Sequence, residues 1–498
     1  MGLKRQVLSG ARWIGMSVAV TSVLQLLQLT YVARVLDAKS VAAVAIITMV
    51  VSLADILANV GLSNSLIQRQ EITADEISSL YWLNAAWGGS IALILLASGP
   101  ALQAFFRMPD LAGLVALIAL AFAIMPHGQI FRGLLEKELL FAPVALAEIL
   151  WALSTLGFCV VLTASGLGVA GVVAAMVLGF VVKTLVLAVT GRRLFAVTAH
   201  FRFSETRRFL SFSFFQVLDA IVGFLGNSAG AIVIGRILPA PVLGGYNVAY
   251  SYAVTTPAKL NPVITRVMFP AFSSIQGDRR RLAEHAVNLL AVTGLINTAP
   301  LVGLAILADD FVGFVLGSKW LWIVPALQLL SVVGILRAFG NPMGVIFMAL
   351  DRMRLGFMIN LARTVVTIAC VMTGAMLDGM VGTAVALMGV SLLSLVVNYV
   401  LLRALLGITL VQYAAPYWLT VRLTVPMAIV VASMTLLDRG LEDNLAWFVA
   451  TAIAGVGTYL ATLVATRNPL VVEVRRLIVG AYKRGESHER TPPRELSA

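Results

Sequence analysis

Seven cations and three acids lie inside long apolar runs: Arg12, Lys183, Lys259, Arg266, Arg337, Arg363 and Arg422, with Asp55, Glu148 and Asp219. A charge at the centre of a lipid-embedded helix costs roughly 2.5 to 3.5 kcal/mol on insertion scales, so such residues should face water, one another or an ionic ligand. Buried guanidinium and ammonium groups hold carboxylates or phosphates through charge-assisted hydrogen bonds. The chemistry on offer is therefore that of a polar path or of internal ion pairs. Nothing in the chain reads as bond-making machinery. It carries no glycine-rich phosphate loop, no nucleophile with a paired base and no metal-ligand spacing, and His127, His200, His285 and His488 stand isolated in sequence. Cys159 and Cys370 both fall in apolar runs, so no disulfide framework is expected.

Depth separates functional candidates from bland ones. Arg12, Lys183, Arg363 and Arg422 lie within about two turns of the end of their runs, where a long side chain can snorkel to the interface without any further role. Asp219 is about 15 Å inside its run at 1.5 Å per residue and cannot easily do so, and Arg337 is equally deep. Lys259 and Arg266 share a face seven residues apart, with Pro257 and Pro262 beside them; Asp55 and Asn59 are spaced i, i+4. An internal pair such as Asp219 with Lys259 is the structural alternative. Gln216, Gly223, Gly226, Asn227 and Gly230 share the Asp219 face, and close helix packing alone would account for the glycines. On the first apolar run Arg12 and Arg34 fall on one face, whereas Ser17, Thr21, Gln25 and Gln28 fall on the opposite one, with Gly15 the only weak point. Tyr246, Tyr250, Tyr252, Trp82 and Trp87 are read as interfacial anchors before sugar-stacking platforms.

The elements that position these residues follow from composition. The 498-residue chain is 60% hydrophobic and 12% charged, against about 25% charged in a soluble protein. Cut at about 20 residues per span, it yields an all-α membrane protein of fourteen spans near 9–36, 41–66, 77–99, 111–131, 143–164, 168–190, 209–237, 242–269, 286–307, 322–349, 355–376, 380–402, 416–437 and 445–466. The first run is too long for a cleavable signal peptide and leads straight into a second span. Loops on one side then hold 23 cations and those on the other six. That bias places both termini in the cytoplasm and explains the net charge of +12 without nucleic acid.

The chain also repeats itself. Arg5, Leu8 and Ser9 fall on Arg207, Leu210 and Ser211, and ARVLDAKSVAAV falls without a gap on GRILPAPVLGGY, pairing Arg34 with Arg236. An offset of six spans is even, so both copies enter the membrane from the same side. The expected organisation is an N-lobe (1–190), a basic cytoplasmic linker (191–208), a C-lobe (209–403), two further helices (404–466) and a basic cytoplasmic tail (467–498). Parallel repeats of this kind carry a substrate path between lobes that rock against each other.

Several stretches together, YVARVLDAKSVAAVAI, LADILANVGLSNSLIQRQEITADE, IVIGRILPAPVLGGYNVAYSY and RVMFPAFSSIQGDRRRL, resemble the polysaccharide transporter family of the multidrug/oligosaccharidyl-lipid/polysaccharide superfamily, typified by colanic acid and xanthan flippases. The resemblance covers nearly the whole chain and marks Arg34, Gly61, Gly235, Arg236, Gly244, Tyr246 and Pro270 as family positions. Asp37 and Ala38 stand where the family often has Gly-Pro, and Gly230 where an acid often precedes the Gly-Arg, which puts in doubt any ion coupling through that acid. The resemblance implies an alternating-access flippase of the bacterial inner membrane, without cofactor, that moves an oligosaccharide on an undecaprenyl pyrophosphate carrier among membrane lipids and hands it to polymerase and export machinery. Arg34, Arg236, Lys259, Arg266 and Arg337 would form the headgroup path, Asp55 and Asp219 would orient or balance them, and Arg12 and Gln25 would line it. Two rivals remain. A cation-coupled drug or metabolite exporter would favour embedded acids over cations; a membrane glycosyltransferase or polymerase would need a sizeable outer loop, and the one bearing Asp309 and Asp310 is short.

Overall fold

The computed structural model describes residues 3–58, 72–210, 214–259, 278–340, 343–350, 352–437, 445–466 and 471. Every regular element among them is a helix. The elements are α1 (Leu3–Val35), α2 (Ala38–Ala58), α3 (Ala74–Phe106), α4 (Leu111–Ile124), α5 (Pro126–Lys137), α6 (Phe141–Leu162), α7 (Gly168–Gly191), α8 (Phe203–Leu210), α9 (Phe214–Ile237) and α10 (Ala240–Tyr250). They continue with α11 (Arg279–Ile306), α12 (Val324–Gly340), α13 (Met343–Ala349), α14 (Met353–Leu406), α15 (Leu410–Leu437) and α16 (Leu445–Ala465). Among the described residues ten segments are long and apolar enough to cross a membrane, or eleven with the bent pair α4 and α5 as one span.

Two of the ten are double-length. The 51-residue stretch Phe141–Gly191 and the 54-residue stretch Met353–Leu406 each exceed the roughly 20 residues one crossing needs, and each turns back on itself. The first reverses through a π turn at Thr163–Leu167, where Gly166 and Gly168 take φ of 89° and 52°. The second reverses at Asp378 and Gly379, where Gly379 has φ 52° and ψ −125°. Positive φ at these points is open to glycine at no steric cost. In the second hairpin the arms touch backbone to backbone: a Cβ on Gly374 would overlap the Gly382 carbonyl, and a Cβ on Gly382 would overlap that of Gly374.

The expected uninterrupted span 111–131 is broken. The chain bends by 42° between α4 and α5 because Pro126 occupies the first helical position of α5, where its missing N–H costs nothing and its ring disfavours continuation of the preceding helix. The weak point anticipated at Gly15 is absent; α1 runs unbroken from Leu3 to Val35. Of the run expected at 209–237, Phe214–Ile237 is helix α9, and of the run expected at 322–349 the described residues form α12 and α13.

The repeat recurs in the helix ends. α1 stops at Val35 and α2 starts at Ala38; α9 stops at Ile237 and α10 starts at Ala240, each pair 202 residues apart. Packing partners recur too, with α1 on α6 and α9 on α14, then α3 on α4 and α11 on α12. The first half of the chain meets the second mainly through α2 against α9 and α10. Gly244 allows this contact, since a Cβ there would overlap the Ala38 carbonyl. A continuous core of buried Val, Ile, Leu and Ala runs through both halves, with Ile46, Ile47, Val172 and Val173 on one side and Val248, Leu327 and Leu330 on the other. α15 and α16 pack outside this arrangement, α15 on α11 and α16 on α15.

The basic stretch after α7 is stapled to the start of α3. Ser79 donates its hydroxyl to Glu205 at 2.7 Å, the Trp82 indole N–H donates to the Thr198 carbonyl at 2.9 Å, and Ser78 and Thr198 share a hydrogen bond of 2.8 Å. Trp82 thus has a definite partner as well as an exposed ring. The Ser79 hydroxyl and then His200 hold the Glu205 carboxyl below its ordinary value.

Two outcomes follow from this packing. Gly382→Val forces the hairpin apart and should lower the thermal stability of the purified protein by about 1 to 3 kcal/mol, the usual cost of overpacking, whereas Gly389→Ala, with open space beside it, leaves the melting temperature unchanged. Glu205 carries a lowered carboxyl value, so its hold on the stretch 192–202 is complete above the ordinary carboxylate range and fades as pH falls through the lowered one. Glu205→Ala should therefore speed tryptic cleavage after Arg192 and Arg193 at pH 7, and hydrogen exchange in 192–202 should rise in wild type only in acid.

Candidate functional site

Polar groups gather along the seam between the two halves. Thr30 on α1 and Tyr252, in the π turn Ser251–Thr255 that follows α10, share a hydrogen bond of 2.6 Å. One and a half turns earlier on α1, Gln25 accepts from the Lys259 ammonium. Lys259 is therefore held against a neutral amide, and the pairing of Lys259 with Asp219 that the sequence left open is not what the structure has. Asp219 on α9 instead accepts from the Asn360 amide at 3.1 Å, and the Asn360 oxygen accepts from the Arg363 guanidinium at 2.9 Å. Arg337 on α12 donates to the Tyr250 hydroxyl at 2.6 Å and to the Asn227 side-chain oxygen at 3.4 Å. The Tyr250 hydroxyl in turn donates to the Asn227 carbonyl at 3.0 Å, and its ring lies 5.8 Å from the Arg337 guanidinium.

Arg363 and Arg337 are close enough to repel each other, with Asp219 the acid that attracts Arg363. The second half of the chain thus ties Arg363 to Asp219 through a neutral asparagine, with Arg337 held beside them on Tyr250 and Asn227. Arg363, read from sequence as a snorkelling cation, belongs to this group. Its position about three turns into α14 hid that, because depth from the helix end says nothing about which neighbour a side chain meets.

The first half is arranged oppositely. Glu148 accepts from Lys183 at 2.7 Å and from Arg132 at 3.4 Å, Arg132 also pairs with Glu136 at 2.9 Å, and Asp55 feels the Arg132 charge. Lys183 further lies 5.3 Å from the centre of the Trp151 ring. Two cations accordingly meet the three acids of this group.

The matched pair Arg34 and Arg236 sits at the far ends of α1 and α9. Arg34 donates Nε to the Val315 carbonyl at 2.8 Å and Nη2 to the Phe314 carbonyl. Arg236 donates to the Phe105 carbonyl at 3.2 Å, with its guanidinium 5.5 Å from the Phe105 ring. In the structure both bind backbone. Arg12 is exposed on α1 and Arg422 on α15. Arg266 lies outside the described residues, as do Asn59, Gly61, Pro262 and Pro270. The glycine stripe of α9 is a packing surface: a Cβ on Gly226 would meet the Thr364 hydroxyl at 2.6 Å, and one on Gly230 would overlap the Tyr246 phenol. Where the family resemblance expects an acid, the buried Tyr246 ring fills the space, stacked on Tyr250 at 5.4 Å.

Beside this seam lies an apolar groove of about 520 Å³ between α11, α15 and α16, walled by residues such as Leu295, Gly303, Met427, Phe448 and Gly455.

Comparison with known proteins places the chain. Residues 31–325 match the family model described as polysaccharide biosynthesis protein. The chain is 35% identical over 482 residues to the lipopolysaccharide biosynthesis protein WzxC of Escherichia coli (strain K12), covering 96% of this chain and 97% of that one. It is 30% identical over 355 residues, 71% of this chain and 74% of the other, to the teichuronic acid biosynthesis protein TuaB of Bacillus subtilis (strain 168). Among solved structures it shares the fold of a lipid II flippase, MurJ, in an inward closed conformation, with a TM-score of 0.69 at 14% identity over 90% of this chain and 97% of that chain. An all-helical membrane chain with an internal repeat, a family model over more than half its length and a near full-length relative at this identity belongs to the polysaccharide biosynthesis protein family.

Proposed function

We propose that this protein is a flippase that carries a polyprenyl-pyrophosphate-linked oligosaccharide across the bacterial inner membrane for exopolysaccharide synthesis. It is a transporter that makes and breaks no covalent bond. The observation that carries this reading is the charge imbalance at the seam: Arg363 tied through Asn360 to Asp219, Arg337 held on the neutral Tyr250 and Asn227, and Lys259 against a neutral amide. Two adjacent guanidiniums in a low-dielectric setting repel unless an anion joins them, and a pyrophosphate presents several oxygens to such a fork. The sugar headgroup explains why a protein is needed. A few sugars carry on the order of a dozen hydroxyls, each costing roughly 1 to 3 kcal/mol to desolvate, so the headgroup does not cross lipid unaided. The apolar groove between α11, α15 and α16 suits the lipid tail, which needs no polar partner.

In the same reading the chain has fourteen spans and both termini cytoplasmic. Residues 1–190 and 209–403 are two lobes joined by the linker 191–208, followed by two outlying helices within 404–466 and a cytoplasmic tail from 467. The recurring helix ends and packing partners support the lobes. Alternating access follows: the lobes rock about the seam, exposing the cationic group first to one face and then to the other.

Deletion of the gene should leave a lipid-linked oligosaccharide on the cytoplasmic leaflet, and the wild-type gene should restore export; accumulation of no such intermediate sinks the reading. In that strain Arg337→Ala, Arg363→Ala and Lys259→Ala should each cut export by about 10- to 100-fold at normal membrane levels, the equivalent of one or two charge-assisted hydrogen bonds, whereas Arg422→Ala exports normally. Asn360→Leu strands the Asp219 carboxylate and should lower thermal stability by about 1 to 3 kcal/mol. Asp219→Asn in the same chain should recover most of that loss.

A further inference from the structure

The ends of α1 and α9 do something that an anion path does not require. Each carries an arginine, Arg34 and Arg236, at matched positions of the repeat, and each arginine leaves its own half to bind main-chain carbonyls of the other. Arg34 takes the Phe314 and Val315 carbonyls, in the π turn Val312–Leu316 that follows α11. Arg236 takes the Phe105 carbonyl in the last turn of α3. In both cases the acceptor closes a helical stretch, where carbonyls lack an intrahelical donor and carry the negative end of the helix dipole. The symmetry is consistent: the first helix of each half reaches the end of the third helix of the other.

On the Arg34 side the bond is answered. The Lys319 ammonium donates to the Arg34 and Leu36 carbonyls, both at 2.8 Å, and the buried Trp320 indole donates to the Ala33 carbonyl at 2.8 Å. The end of α1 thus caps the π turn Val312–Leu316, and the short 3-10 helix Ser318–Ile323 beside it caps the end of α1. Leu36, whose carbonyl lies in this exchange, is buried. Asp37 adds its charge beside Lys319.

We propose that Arg34 and Lys319, with Arg236 as a second and weaker bolt, form a latch that holds the two halves together at the end of the molecule opposite the basic loops, and that the transport cycle has to break it. The three cations act as gate residues in place of headgroup ligands. This rests on the alternating-access reading of the seam. Both bolts bind backbone, so they hold whatever side chains stand at 105, 314 and 315. When the halves separate at that end, the orphaned carbonyls and the freed cations both meet water, which offers each a partner and makes the open state accessible.

The test uses the full-length chain in spheroplasts, with Cys159→Ala and Cys370→Ala removing the native thiols and Leu36→Cys reporting the latch, since its carbonyl is kept. A membrane-impermeant maleimide is added from outside and the labelling rate is followed. Arg34→Ala and Lys319→Ala should each speed labelling at least about tenfold, the population change expected when a charge-assisted hydrogen bond is lost. Arg236→Ala should speed it less, and Arg34→Lys should label at close to the parent rate. Membrane levels of every variant are measured, and Phe314→Ala, which keeps its carbonyl, should label as the parent does. Unchanged labelling in Arg34→Ala and Lys319→Ala chains that insert normally overturns the latch. So does equal acceleration by Phe314→Ala, because it would mean that any loosening of the region exposes Leu36. Labelling needs no substrate, so these results stand apart from the export assay that tests the flippase reading.

Discussion

A helix that ends inside a membrane protein leaves its last carbonyls without donors, and lipid supplies none. Much of this molecule is organised by how those carbonyls are satisfied. The ends of α1 and of the π turn after α11 satisfy each other through Arg34, Lys319 and Trp320; the end of α3 is met by Arg236. An unpaired buried polar group costs about 1 to 3 kcal/mol, so contacts of this kind decide where helices stop and which neighbours they keep. The hairpin turns at Gly166, Gly168 and Gly379 answer the same constraint by another route, reversing the chain with backbone conformations that glycine adopts freely.

Charge follows a different rule in each half. Where Glu148 meets both Lys183 and Arg132, the ions satisfy one another and the first half has little appetite for a further ion. Around Asp219 the balance is left positive, with Asn360 standing between the carboxylate and Arg363 as a neutral spacer. A direct Asp219–Arg363 pair would have quenched more of that charge. Keeping the acid one amide away fixes the orientation of Arg363 through Asn360.

Much of this was legible in the residues themselves. Hydropathy located the membrane helices, and the gapless match of ARVLDAKSVAAV with GRILPAPVLGGY carried over to helix ends 202 residues apart. Pro126 is legible too, but apolar residues flank it on both sides, so hydropathy alone makes 111–131 a single run. The site was harder to read, for two physical reasons. Side chain to side chain partners such as Asn360 with Asp219 lie far apart in sequence, and no spacing rule links them. The partners of Arg34 and Arg236 are main-chain carbonyls, which every residue has and which therefore leave no mark in a sequence. A cation near a helix end looks the same whether it reaches water, a ligand or the backbone of the next helix.

The unbroken α1 gives these contacts a mechanical relation. Its 33 residues make a rod about 50 Å long at 1.5 Å per residue, with no kink along it. Gln25, the partner of Lys259, and Arg34, the bolt, are nine residues apart on that rod. The separation is about 13 Å along the axis. A tilt of about 10° pivoting at Gln25 swings the Arg34 end by about 2 Å, enough to part hydrogen bonds of 2.8 Å. Stiffness makes α1 a lever: an event too small to rearrange the seam is large by the time it reaches the end of the helix.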